Sequence, residues 1–217
     1  MRNSKALEML EAGRIEELKV LLQNDIYEES LKTKPGAKKR YAAMRRYFNY
    51  HKTAREVLQK PCVIEFEEKS YISFCNSWSL ALTTEDCGEI QLYDDEYGKY
   101  PDVAGLVSFE GIKKKIDFGK VIAEAKSKGY KLTKSEVNAS FKYLMFYDDT
   151  YYKIGLLDAT FSIIDNGEPA MTYHPYGERM PLTIKNDIGL CMIMPVKYYN
   201  GCGPEEDKIV IEVGDDY

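Results

Sequence analysis

The clearest pattern of apolar and polar positions lies in residues 137–164, where two different periods follow one another. From Val137 to Met145 apolar and polar residues alternate, which is the period of a half-buried strand. The apolar residues that follow recur every three or four positions, which predicts a helix. Its stripe consists of Ile154, Leu157, Phe161 and Ile164.

Turn-forming residues divide this region into elements. The side-chain oxygens of residues 148–150 can accept hydrogen bonds from free backbone N–H groups, so these residues predict the N-cap of the helix. Asn166-Gly167 predicts its end, because glycine tolerates the left-handed conformation of a C-cap. Residues 186–189 then predict the turn of a hairpin that spans residues 182–196.

Helical spacing dominates the first sixty residues. Residues 4–30 predict a short helix and a longer one, separated by a turn at Ala12-Gly13-Arg14. Lys34-Pro35-Gly36 predicts a break. A further helix, rich in basic residues, is expected from Ala37 to Leu58.

The middle of the chain predicts a hairpin and one more helix. Residues 63–66 and 71–82 are expected to pair as strands across a turn at residues 67–69. One face of the second strand would carry Ile72, Phe74, Trp78, Leu80 and Leu82. An amphipathic helix, ended by Gly129, is predicted by Phe118, Val121, Ile122 and Ala125.

Several short motifs resemble the bacterial DNA sliding clamp, the beta subunit of the replicative DNA polymerase. Residues 154–159 stand where the last clamp domain has a "YLLDAL"-like helix, and Met194-Pro195-Val196-Lys197 stands in place of its closing Met-Pro-(Met/Val)-Arg. Tyr100-Pro101-Asp102-Val103 is similar to the "(F/Y)PDY" segment that opens a clamp domain. Residues 75–80 occupy the place of the "ATDGHRL"-type strand, without its Asp-Gly. The resemblance covers about residues 62–198.

The resemblance implies an α+β protein of DNA-clamp (processivity-fold) architecture. Two units of sheet backed by helices are expected. The first spans residues 1–99, has extra helices and is interpreted as a degenerate unit; the second spans residues 100–198. An acidic tail follows at residues 199–217. That tail would cover a binding pocket, add an edge strand at residues 209–213, or have no role.

By resemblance, the function would be to tether a partner to DNA as a polymerase processivity factor or as a clamp-derived binding module. Inward-facing helices would surround double-stranded DNA without reading its sequence, and copies of the chain would join edge to edge as a homo-oligomer. A DNA polymerase or another clamp-binding protein would insert an apolar motif into a pocket walled in part by Met194, Pro195 and Val196. The alternative for Met192 and Met194 is a core-facing strand position.

The charge distribution agrees with contact to a polyanion. The net charge is −5, yet residues 32–60 hold ten Lys or Arg against one acid, and residues 113–134 hold eight Lys against two acids. Clustered cations on an otherwise acidic protein favour phosphate contact at chosen places. The expected DNA-binding residues are Lys38, Lys39, Arg40, Arg45, Arg46, Lys52, Arg55, Lys113, Lys114, Lys115 and Lys120. The alternative is a solvated helix whose cations pair with the acidic body.

Catalytic motifs are absent from the sequence, including phosphate-binding glycine loops, H-E-x-x-H and G-x-S-x-G. Five widely spaced cysteines and two histidines suggest structural thiols and no metal site. We therefore expect no enzyme and no cofactor. No stretch resembles a signal peptide or a membrane span, so a cytoplasmic protein without membrane contact is expected.

Two other classes of function stay open on the sequence. One is a non-clamp DNA-binding adaptor of a mobile element that uses the basic helix 37–58 directly. The other is a metal nuclease built only from carboxylates, which has no short motif to detect. The adjacent aspartates at three places sit beside turns and are interpreted as loop or cap residues. The adaptor would bind short linear DNA tightly, whereas a clamp would bind it weakly. The nuclease would gain thermal stability with Mg²⁺ or Mn²⁺.

Overall fold

The helices of the chain fall into an N-terminal hairpin and a layer that covers a sheet. The computed structural model describes residues 2–50, 55–138, 142–147, 149–176, 180–196 and 209–214. The helices are α1 (Arg2–Glu11), α2 (Ile15–Ser30), α3 (Ala37–Tyr50), α4 (Phe118–Ser127), α5 (Lys134–Asn138) and α6 (Ile154–Phe161). Short 3₁₀ turns lie at Leu31–Thr33, Glu56–Leu58 and Ala104–Leu106.

In the described part of the chain, ten strands form two sheets. The strands are β1 (Cys62–Phe66), β2 (Lys69–Cys75), β3 (Ser79–Thr83), β4 (Ile112–Ile116), β5 (Tyr143–Tyr147), β6 (Thr150–Lys153), β7 (Ala170–His174), β8 (Leu182–Lys185), β9 (Gly189–Ile193) and β10 (Ile209–Glu212). The main sheet is antiparallel, with the order β1-β2-β3-β9-β8-β7-β4. The small sheet has the order β10-β5-β6, and β10 pairs with β5 in parallel. The predicted α+β class is confirmed.

The main sheet crosses the predicted boundary at residue 99. At its centre β3 pairs with β9, and Leu80 lies opposite Met192. Strands from residues 62–83 and from residues 112–193 therefore belong to one continuous sheet. The two predicted units do not each bring a main sheet of their own.

Both faces of the main sheet are covered. The helix layer packs on one face, where Tyr47 of α3 contacts Phe74 and Phe118 of α4 contacts Phe161 of α6. On the other face a second cluster joins Leu80, Leu82, Leu190 and Met192 to side chains of residues 93–103. Strand β9 is covered on both faces, so all five of its residues are buried. Each of them is apolar or glycine.

Several predicted elements are confirmed. They are the hairpin α1–α2, the helix α4 ended by Gly129, and the strand pairs β1–β2 and β8–β9. Asn186 forms the turn of the last pair, where its Oδ1 accepts from the N–H groups of Ile188 and Gly189. The strand that the tail could contribute is present as β10.

The strand predicted from Val137 to Met145 is wrong at its beginning. Val137 and Asn138 belong to the helix α5, residues 139–141 lie outside the described residues, and the strand β5 starts at Tyr143. The helix α5 lies directly against α6: a Cβ atom at Gly155 would come within 2.6 Å of the Glu136 carbonyl oxygen. Close packing of two helices therefore overrides the local alternation.

The predicted N-cap at residues 148–150 is also wrong. Tyr147 pairs with Thr150 in the hairpin β5–β6, and Asp149 adopts a φ of 58°. Aspartate tolerates this left-handed conformation in tight turns. Helix α6 begins later, after Lys153, and ends at Phe161, before the predicted Asn166-Gly167.

The single strand predicted over residues 71–82 is broken into β2 and β3. A turn at residues 76–78 reverses the chain, and β2 and β3 pair as antiparallel strands. Leu80 pairs with Cys75 on the face of the second cluster, whereas Phe74 faces the helix layer. Trp78 was predicted on the apolar face of this strand, and that prediction is wrong. It lies in the turn and is 61% exposed.

Candidate interaction surfaces

A buried polar network holds the turn that carries Trp78. The Asn76 Oδ1 accepts from the N–H groups of Trp78 at 2.6 Å and Ser79 at 2.8 Å. Its Nδ2 donates to the Tyr47 hydroxyl at 3.1 Å, and Thr160 Oγ1 donates to Ser79 Oγ at 3.0 Å. The turn is therefore fixed to α3 through Tyr47 and to α6 through Thr160. A satisfied buried network of this kind holds one conformation.

The segment 194–196 lies beside this turn. The Met194 N–H donates to the Trp78 carbonyl at 2.9 Å, and the Val196 N–H donates to the Tyr151 carbonyl at 2.8 Å. Met194 is half-buried against the second cluster, Pro195 is buried and Val196 is half-buried. We call Trp78, Met194 and Val196 the tryptophan surface.

The tryptophan surface combines an aromatic side chain on a fixed turn with an adaptable methionine. An exposed tryptophan offers a large apolar contact area, and methionine adapts to different partners. Sequence reasoning missed Trp78 as a surface residue. The signal was Asn76, a turn-forming residue that interrupts the strand pattern.

Arg40, a predicted phosphate ligand, is instead part of the core. Its side chain is 4% exposed, and one guanidinium nitrogen lies 2.8 Å from Glu85 Oε1. The other donates to the carbonyls of Pro35 and Asp165. The guanidinium joins α3 to two loops, so the assignment of Arg40 to DNA contact is corrected.

The remaining basic residues of α3 lie on its outer side. Lys39 pairs with Asp165 at 2.7 Å, and Arg45 pairs with Glu28 of α2 at 2.7 Å. Lys38 and Arg46 are exposed, and neither forms an ion pair with another described residue. Lys38 and Arg46 are therefore the cations of α3 that are best placed for an external anion.

The second basic segment is divided between the strand β4 and the predicted helix α4. Lys113 and Lys115 are exposed on the edge strand β4, whereas Lys114 lies with its Nζ 6.0 Å from the Tyr147 ring centre. Lys120, on α4, pairs with Asp117 at 3.6 Å. Four strand spacings separate β4 from β3, about 19 Å at the usual spacing. Since α3 packs near β2 and β3, Lys113 and Lys115 do not join the basic residues of α3 in one cluster.

Two further candidates stand apart from these groups. Arg55 is exposed just before the turn Glu56–Leu58, and its charge lowers the pKa of the Cys75 thiol, against the larger raising effect of burial. Lys52 lies outside the described residues.

A groove of about 340 Å³ separates α3 from α4 and α6. Lys39, Arg46 and Lys126 stand along it, but Asp158 and Asp165 also line it. Lys126 Nζ lies 3.7 Å from Asp158 Oδ2. The carboxylates offset part of the positive charge, so this side of the helix layer has mixed charge.

Metal and thiol chemistry find little support in the described part of the chain. Within it no group of three or more His, Cys, Asp or Glu side chains could hold a metal ion. The cysteines Cys62, Cys75, Cys87 and Cys191 are free thiols. Burial raises the pKa of Cys191, which keeps that thiol protonated and unreactive.

Comparisons with known proteins returned no significant match, whether to protein-family models, to curated proteins or to solved structures. None of the helices, as far as the chain is described, has the length and apolar character needed to cross a bilayer. The tryptophan surface and the exposed cations of α3 are therefore the candidate functional sites.

Proposed function

We propose that this chain is a clamp-like binding module that tethers a partner protein to DNA without making or breaking a covalent bond. The observation that carries the proposal is the contact between the Trp78 turn and the segment 194–196. Both stretches fall on motifs that resemble those of sliding clamps, and the resemblance puts Met194, Pro195 and Val196 in the wall of the partner pocket. They are far apart in sequence and adjacent in space.

The layered architecture supports separate surfaces for DNA and for the partner protein. Helices α3, α4 and α6 cover one face of the antiparallel sheet, and Lys38 and Arg46 point away from that sheet on α3. Contacts from such cations to phosphates are insensitive to base sequence and weaken as salt rises. The helix layer would meet DNA, while the tryptophan surface would hold the partner.

Ring formation would require self-association, and we include a homo-oligomer in the proposal. The edge strands of the main sheet are β1 and β4. Lys113 and Lys115 are exposed on β4, and Glu65 is exposed on β1. Exposed lysines on an edge strand oppose pairing between copies, so we do not assign the contact between copies to these sheet edges.

The partner surface is tested with a fluorescein-labelled hexapeptide that carries an apolar Leu-Phe motif. We expect saturable binding by anisotropy, and about 30-fold weaker binding for Trp78→Ala, because a central aromatic anchor contributes ~2 kcal/mol. Leu106→Ala is the control, since Leu106 is 58% exposed at another place. Equal affinity of the Trp78→Ala variant and the wild type, or no binding by either, would contradict the partner site.

The adaptor hypothesis retains one supporting observation, the exposed pair Lys38 and Arg46 on the outer side of α3. It predicts tight binding to short linear DNA, and loss of that binding in the double variant Lys38→Glu/Arg46→Glu. The clamp proposal predicts weak binding to such DNA from the start. Titration of a 20-base-pair duplex at two salt concentrations separates them.

A further inference from the structure

The hairpin α1–α2 projects from the body with little of its surface covered. None of the sixteen residues of α2 is buried. The end of α2 is held to the body by a few contacts: Tyr27 donates to the Asp86 carbonyl at 2.7 Å, Tyr41 donates to Asn24, and Arg45 pairs with Glu28. These contacts lie in the last two turns of α2. The rest of the hairpin packs on itself.

The exposed apolar side chains of the hairpin are numerous. Large apolar residues that are 45–71% exposed here are Leu7, Leu10, Ile15, Val20, Leu22 and Ile26. Scattered exposed apolar residues are normal, whereas a contiguous group marks a binding surface. If these side chains share one side of the hairpin, they form such a surface.

Helical spacing places five of the six on one side. A groove along the hairpin is lined by Lys5 and Met9 of α1 and by Val20 and Asn24 of α2. On α1, Leu7 and Leu10 are turned away from the Lys5 and Met9 side. On α2, Ile15, Leu22 and Ile26 recur at intervals of seven and four, and that stripe points away from the Val20 side. We call Leu7, Leu10, Ile15, Leu22 and Ile26 the apolar side of the hairpin.

We infer that the apolar side of the hairpin is a dimer interface, on which the same hairpin of a second copy packs to form a four-helix bundle. Two-helix hairpins with one apolar side complete their core in this way. A two-fold axis lets one patch serve both copies.

The area of the patch fits a dimer. At their exposures, the five side chains offer roughly 500 Å² per copy, so a symmetric pair would bury about 1,000 Å² before flanking residues are added, close to the lower end of specific interfaces. A membrane is a poorer occupant, because Glu8, Glu11, Glu16, Glu17, Asp25, Glu28 and Glu29 make the hairpin acidic and anionic lipid would repel it.

Charge complementarity also favours a second copy. The outer flank of α1 carries Glu8 and Glu11, and the outer flank of α2 carries Lys19 and Gln23. If α1 of one copy lies on α2 of the other, Glu11 meets Lys19 of the second copy near the turn at Gly13. The two-fold axis repeats this pair. Like charges would instead repel in a mismatched arrangement.

The inference is tested by light scattering on a sizing column over a range of concentrations. We expect a mass twice the 25.0 kDa of the chain for the wild type. Leu22→Glu should give a monomer, and Val20→Glu should stay dimeric. These two residues are equally exposed, at 48%, on the same helix but on different sides. Circular dichroism should show unchanged helicity for both, since neither side chain is buried.

A charge swap sharpens the test. Glu11→Lys should raise the dimer dissociation constant at least threefold, and the double variant Glu11→Lys/Lys19→Glu should restore it. A monomeric wild type, a dimeric Leu22→Glu variant, or a monomeric Val20→Glu variant would overturn the interface. The peptide and DNA experiments use neither α1 nor α2, so a failure of the dimer is distinguishable from a failure of the proposed function.

Discussion

Helices α2 and α6 place their apolar residues in opposite surroundings. The eight residues of α6 are all buried, whereas none of the sixteen residues of α2 is buried. An eight-residue helix is too short to be stable alone, so α6 owes its existence to the layers around it. The longer α2 forms with little tertiary support and leaves apolar surface uncovered. The length of a helix therefore does not indicate its role: the short α6 is part of the core, whereas the longer α2 provides exposed apolar surface.

The strongest test of this contrast is truncation within α6. Leu157→Ala should lower the free energy of unfolding by ~2–5 kcal/mol, because Leu157 is fully buried and the deletion leaves a cavity. Val20→Ala in α2 should change it by less than about 0.5 kcal/mol. Urea denaturation measures both. Similar losses at the two positions would mean that the hairpin is packed as firmly as the body.

A second test compares two ion pairs of α3. Arg40→Ala should cost about 2–4 kcal/mol, because it leaves the partly buried Glu85 and two loop carbonyls without their donor. Lys39→Ala removes an exposed partner of Asp165 and should cost at most ~1 kcal/mol. Thermal unfolding of both variants gives the ranking. If the Arg40→Ala variant were as stable as Lys39→Ala, the interpretation of Arg40 as a core residue would be wrong.

A smaller effect on the free energy of unfolding is expected at alkaline pH, because a buried thiol ionises less readily than an exposed one. Burial raises the pKa of the Cys75 thiol from 9.0 to about 12. Below pH 9 the thiol is protonated in both states. Between pH 9 and 12 only the unfolded chain has released the proton, so this residue removes stability as the pH rises, by up to ~1.4 kcal/mol per unit.

The variant Cys75→Ala isolates that contribution. Its free energy of unfolding should fall less steeply with pH than that of the wild type above pH 9, and the two slopes should agree below pH 8. Denaturant titrations at four pH values provide the slopes. Equal slopes of the two variants up to pH 11 would mean that the Cys75 thiol ionises equally in the folded and unfolded states, and so is in contact with water.

Elements with local signals could be predicted from the sequence. Gly13 separates α1 from α2, Gly129 ends α4, and Asn186 marks the β8–β9 turn, each through a conformational preference of one residue. Asp149 could not be assigned in the same way. Aspartate suits both a helix cap and a left-handed turn, and only the pairing of β6 with β5 decides between them.

The candidate surfaces were predictable only in part. The segment 194–196 was identified by resemblance, but its contact with the Trp78 turn depends on pairing between distant strands. Arg40 carried a signal that was overlooked, since it falls on the same helical stripe as Met44 and Tyr47, three and four residues apart. The basic character of the segment concealed that position.

The pairing of β3 with β9 also has a kinetic consequence. Residues 79–83 meet residues 189–193 at the centre of the main sheet, so the central ladder joins segments more than a hundred positions apart in the chain. Closing so long a loop costs entropy before any contact repays it, and folding rates fall as such separations grow. A nascent chain emerging from the ribosome can form the α1–α2 hairpin early, but its central sheet must wait until residue 193 has cleared the exit tunnel. During that interval the edge of β3 that will pair with β9 is open, and this edge is exposed to aggregation and to chaperones.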